Sequence, residues 1–301
     1  MAECRKGQNL VFCSDSALKL LENSDYMDIL TSIPNTCMDS DLKWRYTSYM
    51  ERSHRHSLIK RLQLGLHRGT PFDVATLERL GISAKAASYY AKEGWLVRLG
   101  HGVYAFPGDQ LSPHGAVKFL QTKVKGLHVG GKTALALQGV QHNLALRETL
   151  VLWGEGRFVL PAWFTSLTPA RYVSAHLFDW PTEKFAESTV TTPPGETEGL
   201  RVSTPERATL EMLYQVGTYE MLEETRNVFE GLRNFRTDVA GKLLACCTAV
   251  KAVRLFLKWS RETGLLDVEQ LYAQFDIRVG SNRRWINRLP DGSLLTLKPN
   301  E

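Results

Sequence analysis

WLVRLGHGVYAFPG, Trp95 to Gly108, reads as two alternating β segments turned about Gly100-His101-Gly102. A glycine-rich turn between alternating segments is a strong hairpin signal. Pro107-Gly108 closes the unit. Upstream, ISAKAASYYAKEG, Ile82 to Gly94, reads as a helix capped by Ser83 and ended by Gly94. DVATLERLG, Asp73 to Gly81, reads as a shorter helix with Asp73 as N-cap and Gly81 as terminator. Before it, Leu58, Leu62 and Leu66 repeat at helical spacing, and Thr70-Pro71 breaks the chain. Three helices followed by a hairpin is the order of a winged helix-turn-helix.

The period orients the third helix. Ala84, Ala87, Tyr90 and Ala91 fall on one side and are expected to pack on Leu77, Leu80 and Trp95. Lys85, Ser88, Tyr89 and Lys92 fall on the other, two cations with a hydroxyl and a phenol suited to phosphates and base edges. Ser83 joins them at the helix start. Arg98 and His101 at the hairpin, with Arg61 and Arg68 upstream, complete the candidate DNA-binding set. The same fold also serves as a protein-docking module, and that adaptor reading stands beside DNA binding.

The chain has 301 residues, 43% of them hydrophobic, which supports two domains. Its net charge of +5 permits a nucleic-acid partner without requiring one. No apolar run approaches the roughly 18–20 residues of a membrane helix. Cys4, Cys13, Cys37, Cys246 and Cys247 form an odd, scattered set without zinc spacing, so a reduced cytoplasmic protein is expected. Residues 1–49 read as a dispensable extension or a helical arm, 50–110 as the winged helix-turn-helix, and 111–301 as a larger mixed α/β domain, an α+β chain in all. In that last part SPHGAVKFLQTKV, GKTALALQGV and TPERATLEMLYQVG read as helices. Ser112 and Thr204 stand as the N-caps of the first and last of these. TLVLWG, GRFVLPAWF, ARYVSAHLF, FDIRVG and SLLTLKPN read as strands.

GLHVGGKT, Gly126 to Thr133, matches the phosphate-loop pattern G-x-x-x-x-G-K-[ST]. That pattern needs a buried strand before it and a helix after it. FLQTKVK, just upstream, reads as the end of an amphipathic helix, so a hydrolase using Lys132 and Thr133 is kept only as the rival. No other catalytic constellation is present, and no metal or cofactor is expected. Lys251, Arg254, Lys258 and Arg261 are spaced to form a cationic stripe on one helix, either a solvated face or a second basic surface.

GWLVRLGHGVYAFPG, the following helix, GGKTALALQGV and STPERATLEML together resemble the AbiEi antitoxins of type IV toxin–antitoxin systems, over about residues 57 to 280. Gln138 stands where that family tends to carry histidine, and the 1–49 extension departs from its usual start. The resemblance implies a winged helix that binds inverted repeats of double-stranded DNA in its own promoter and represses the operon. It also implies a C-terminal domain that counters a nucleotidyltransferase toxin without forming a stable complex. On that reading the chain needs no cofactor and is no enzyme, and Lys251, Arg254, Lys258 and Arg261 mark the antitoxin surface. Gly280-Ser281 is not followed by the paired aspartates of a nucleotidyltransferase, which sets the chain apart from the toxin.

Overall fold

The computed structural model describes residues 60–140, 149–195, 199–289 and 292–298. The chain divides into two compact units, Met1–Leu62 and Gln63–Glu301. Residues 60–62 of the first are helical, with Leu62 buried and Arg61 exposed. Leu58 and the 1–49 extension lie outside the described residues.

The second unit opens with β1 (Phe72–Asp73), α1 (Val74–Arg79), α2 (Ala84–Lys92), β2 (Val97–Gly100) and β3 (Val103–Ala105). Local chemistry sets these boundaries. The Asp73 carboxylate accepts the Thr76 N–H at 3.0 Å and starts α1. The Ser83 hydroxyl accepts the Ala86 N–H at 3.3 Å and starts α2. Gly102, at φ 68°, makes the reversal that lets β2 and β3 pair antiparallel. β3 lies between β1 and β2 in a three-stranded sheet. Phe72, Leu77, Ile82, Ala87, Tyr90, Leu96, Tyr104 and Phe106 are the buried side chains of this part. Two packing expectations change here. Ala84 is exposed, and Trp95 is 50% exposed. Leu96, one residue on, supplies the buried side chain after α2 turns into the hairpin.

The chain continues through α3 (Pro113–Gln121), β4 (His128–Val129), α4 (Gly131–Leu137), β5 (Leu150–Trp153), α5 (Ala162–Leu167), β6 (Ala170–Val173), α6 (Glu183–Ser188), β7 (Val190–Thr191) and β8 (Val202–Ser203). The strands form one sheet in the order β6-β5-β4-β8-β7. β5/β6 and β4/β8 are parallel, while β4/β5 and β7/β8 are antiparallel. Then come α7 (Pro205–Gln215), α8 (Leu222–Glu230), α9 (Thr237–Cys246), α10 (Val250–Thr263), α11 (Val268–Gln274), β9 (Trp285–Arg288) and β10 (Leu294–Leu297). α7 packs on α4, α9 and α10 and is buried on nearly every side. The main core gathers Val129, Leu152, Val202, Leu210, Leu213, Phe229 and Phe256 around it.

Three local readings change. GRFVLPAWF forms no strand: Pro161 holds φ at −62°, and α5 begins after it. Thr204 sits at the α7 N-cap, but its hydroxyl caps nothing and is buried without a partner. FDIRVG pairs with no strand; a side chain on α10 takes the Val279 carbonyl instead. Among the described residues no helix is long and apolar enough to cross a membrane.

Candidate nucleic-acid interface

α2 rests on the core through Ala87 and Tyr90 and leaves its opposite side in solvent. Lys85 and Lys92 are exposed there, Tyr89 is 45% exposed, and Ser88 is half-buried. Neither lysine makes an ion pair or hydrogen bond among the described residues. At the hairpin, Arg98 is exposed and its Nε donates to the Gly100 carbonyl at 3.3 Å, while His101 stands exposed at the turn. These six side chains belong to one helix and the hairpin that follows it.

The other residues singled out in the sequence are differently engaged. The Ser83 hydroxyl is taken by helix capping. Arg68 donates to Asp109 at 2.6 Å and lies over the Phe106 ring at 4.8 Å. Asp109 also accepts the Gly69 N–H at 3.0 Å, so this pair ties the chain before β1 to the loop after β3. Arg61 belongs to the first unit.

GLHVGGKT lies differently from a phosphate loop. A strand does precede the helix, but it is β4, inside the pattern, so four of the residues that would curl around a phosphate are strand or its flanks. The anion's place is filled by protein. The Glu211 carboxylate accepts the Gly131 N–H at 3.0 Å, at the start of α4. A Cβ at Gly130 would lie 2.3 Å from that carboxylate, so glycine is needed for the approach. Lys132 pairs with Glu224. The Thr133 hydroxyl donates to the Thr149 carbonyl at 3.2 Å and accepts the Val151 N–H at 3.1 Å.

Glu211 centres a buried polar knot that sequence reading missed. It also accepts from Ser203 at 2.8 Å and Arg207 at 2.8 Å, and bonds His128 Nε2 at 3.0 Å. Burial works to raise the Glu211 carboxyl, but His128 and Arg207 outweigh it and hold it down at about 2. Burial, helped by the Arg207 charge, lowers the His128 imidazole against the pull of Glu211. Arg207 lies over the Trp180 ring at 5.0 Å, beside a pocket of about 340 Å³ that His128, Trp153, Phe178, Trp180 and Glu211 also line. The polar side chains of the knot bond one another, which makes it a fastening of β4, β8, α4 and α7. Its sequence trace is slight: Arg207 and Glu211 stand four apart on α7.

The expected cationic stripe on α10 is corrected by burial. Arg254 is 3% exposed and donates to the carbonyls of Val279, Ser281, Arg283 and Leu297 at 2.6–3.0 Å. Lys251 donates to the Val216 carbonyl at 2.7 Å, and burial lowers its amine to about 8. Arg261 pairs with Glu269 at 2.9 Å, and Lys258 is half-buried. α10 is buried on most sides, so Arg254 and Lys251 turn to backbone carbonyls, while Arg261 at its end is exposed, and the four cations do not form one exposed band. Cys246 and Cys247 are free, and burial pushes their thiols up to about 11 and about 12, which leaves them unreactive.

Two family models match the chain. One, described as transcriptional regulator, AbiEi antitoxin N-terminal domain, matches residues 55–146. The other, described as transcriptional regulator, AbiEi antitoxin, type IV TA system, matches residues 147–297. No curated protein matches. Among solved structures, the RV2827C protein from Mycobacterium tuberculosis is similar at 14% identity, with a TM-score of 0.48, over 76% of this chain and 88% of that one.

Proposed function

Because this chain belongs to the AbiEi family of transcriptional regulators and antitoxins of type IV toxin–antitoxin systems, we propose that it represses its own operon by binding inverted repeats in the promoter. On this reading α1, α2 and the β2–β3 hairpin act as a winged helix-turn-helix. α2 enters the major groove with Lys85, Ser88, Tyr89 and Lys92, and Arg98 and His101 touch the adjacent backbone. The observation that carries it is the α2 outer face, where two lysines are exposed and have no partner among the described residues. Cations left without internal acceptors are available for phosphates. Occupancy of the promoter is enough for repression, so no cofactor enters. The antitoxin role is exerted on a nucleotidyltransferase toxin without a stable complex.

The test is an anisotropy titration of the chain against the duplex upstream of its own gene and against a scrambled duplex, at several salt concentrations. A preference of about a thousandfold or more for the native duplex is expected. Equal or absent binding to both would reject the reading. It would favour the adaptor role, to which exposed Trp95 and Val97 at the start of the hairpin point.

A further inference from the structure

β9 and β10 form a sheet of two strands. Their register sets Arg288 opposite Leu294 and Ile286 opposite Thr296. Residues paired in an antiparallel ladder share a face, and the faces alternate along each strand. Leu295, Leu297 and Trp285 therefore lie on one face; the two leucines belong to the main core, and Trp285 packs against it. Ile286, Arg288, Leu294 and Thr296 lie on the other. There Ile286 is 59% exposed, Leu294 is 63% exposed, and Arg288 is exposed. Arg283 and Arg284, at the entrance to β9, are exposed too. None of these three arginine side chains bonds to another described residue. The two strands carry no carboxylate.

The ribbon has a firm base. The buried Arg254 guanidinium bonds the carbonyls of Val279, Ser281 and Arg283 on the way in and Leu297 on the way out. The start of β9 and the end of β10 are thus held by one side chain on α10. Leu289, after β9, packs against Gly217, where an added Cβ would lie 2.6 Å from it.

We propose that the β9–β10 ribbon is a second DNA-contact surface, set in a major groove through Arg284, Ile286, Arg288 and Leu294. This rests on the reading that the chain binds DNA. A two-stranded ribbon fits the ~12 Å width of a major groove. Arginines there reach guanine edges and phosphates, and aliphatic side chains meet thymine methyls. The charge is complementary to a phosphate backbone. A second copy of the chain, face to face, would set arginine against arginine.

The experiment uses the full chain, its own upstream duplex, a scrambled duplex and a series of salt concentrations. The R284A/R288A variant is expected to lower the slope of log affinity against log salt by up to about two units on both duplexes. R284K/R288K keeps both charges and retains the slope. I286S/L294S leaves the slope unchanged and reduces the preference for the native duplex by about fourfold for each aliphatic side chain replaced, the worth of one buried methylene. Unchanged thermal melts show that the variants are folded. If the unaltered chain lacks salt-dependent binding, the functional reading falls and the ribbon falls with it. If it binds and R284A/R288A keeps the original slope, the ribbon alone is overturned. Loss of toxin neutralisation in R284A/R288A with DNA binding intact would also overturn it and make the ribbon a surface for an acidic protein.

Discussion

The cations of α2 and those of α7 and α10 are similar groups in opposite surroundings. Lys85 and Lys92 stand in solvent with no described partner. Arg207 is held by Glu211 and Thr189, and Arg254 by four carbonyls. Just before α9, Arg236 grips Glu206 with two parallel bonds of 2.9 and 2.8 Å. The difference follows from how much of each helix is covered. α2 touches the core on one side only, so its other side remains available to a partner. α7 and α10 are covered almost all round, and a buried charge persists only with internal acceptors. A basic helix therefore marks a binding face only where the fold leaves that face open.

The largest effect is expected at Arg254. Arg254→Met leaves four carbonyls to find other donors. Its cost should be about 3–5 kcal/mol of unfolding free energy in urea titration, in the range for breaking a buried charged network. A change within about 0.5 kcal/mol, the level of an ordinary surface substitution, would return Arg254 to the class of Lys85.

Glu211→Gln comes next. It strips Arg207 of its carboxylate inside the knot, and a loss of about 3 kcal/mol is expected. The pH profile adds a second readout. The Glu211 carboxyl is near 4.5 when unfolded and about 2 when folded, so between these values the folded state binds fewer protons. Its contribution is present above about pH 4.5 and is lost as pH falls towards 2. The Gln variant should lack that part of the acid slope. An identical acid slope in both proteins would show that the knot does not hold an ionised carboxylate.

On the open side, Lys85→Ala and Lys92→Ala should leave stability within about 0.5 kcal/mol. Each should lower the salt slope of DNA binding by roughly one unit. A stability loss like that of Arg254→Met, with the slope unchanged, would erase the contrast between the two regions.

The first region was legible because its signals are local. Asp73 and Ser83 cap helices from their own sequence positions, and Gly100-His101-Gly102 turns a hairpin wherever it occurs. The α10 stripe misled because spacing gives a residue's side of the helix but not what covers that side. Arg254 meets carbonyls 25 to 43 residues away, which no local pattern encodes. The Glu211 knot was hidden in the same way, since His128 lies 83 residues before its partner. GKT was a match of letters whose meaning depended on Glu211, far along the chain. The β9 strand was missed because RRWINR reads as charged, and its period of two shows only once β10 is set beside it.

Lys251 carries the smallest effect and sharpens the comparison most finely, because it lies between the two extremes. It is half-buried, bonded to the Val216 carbonyl and near the Tyr214 ring at 5.7 Å. Burial lowers its amine from 10.5 to about 8. Between those values the unfolded chain keeps a proton that the folded chain has released. Stability contributed by this group therefore rises with pH from about 8 to 10.5 and is flat below. Solvent still reaches the amine, so the rise should amount to less than about 1 kcal/mol. Tyr172 and Tyr272 are both raised by burial, and their effect is opposite in sign above about pH 10. Urea titrations of the parent chain and Lys251→Met at about pH 8, 9 and 10 isolate the lysine. The parent should gain stability relative to the variant across that interval. Parallel curves would place Lys251 with the open cations of α2, and would mean that the α10 surface offers at least one charge to a partner after all.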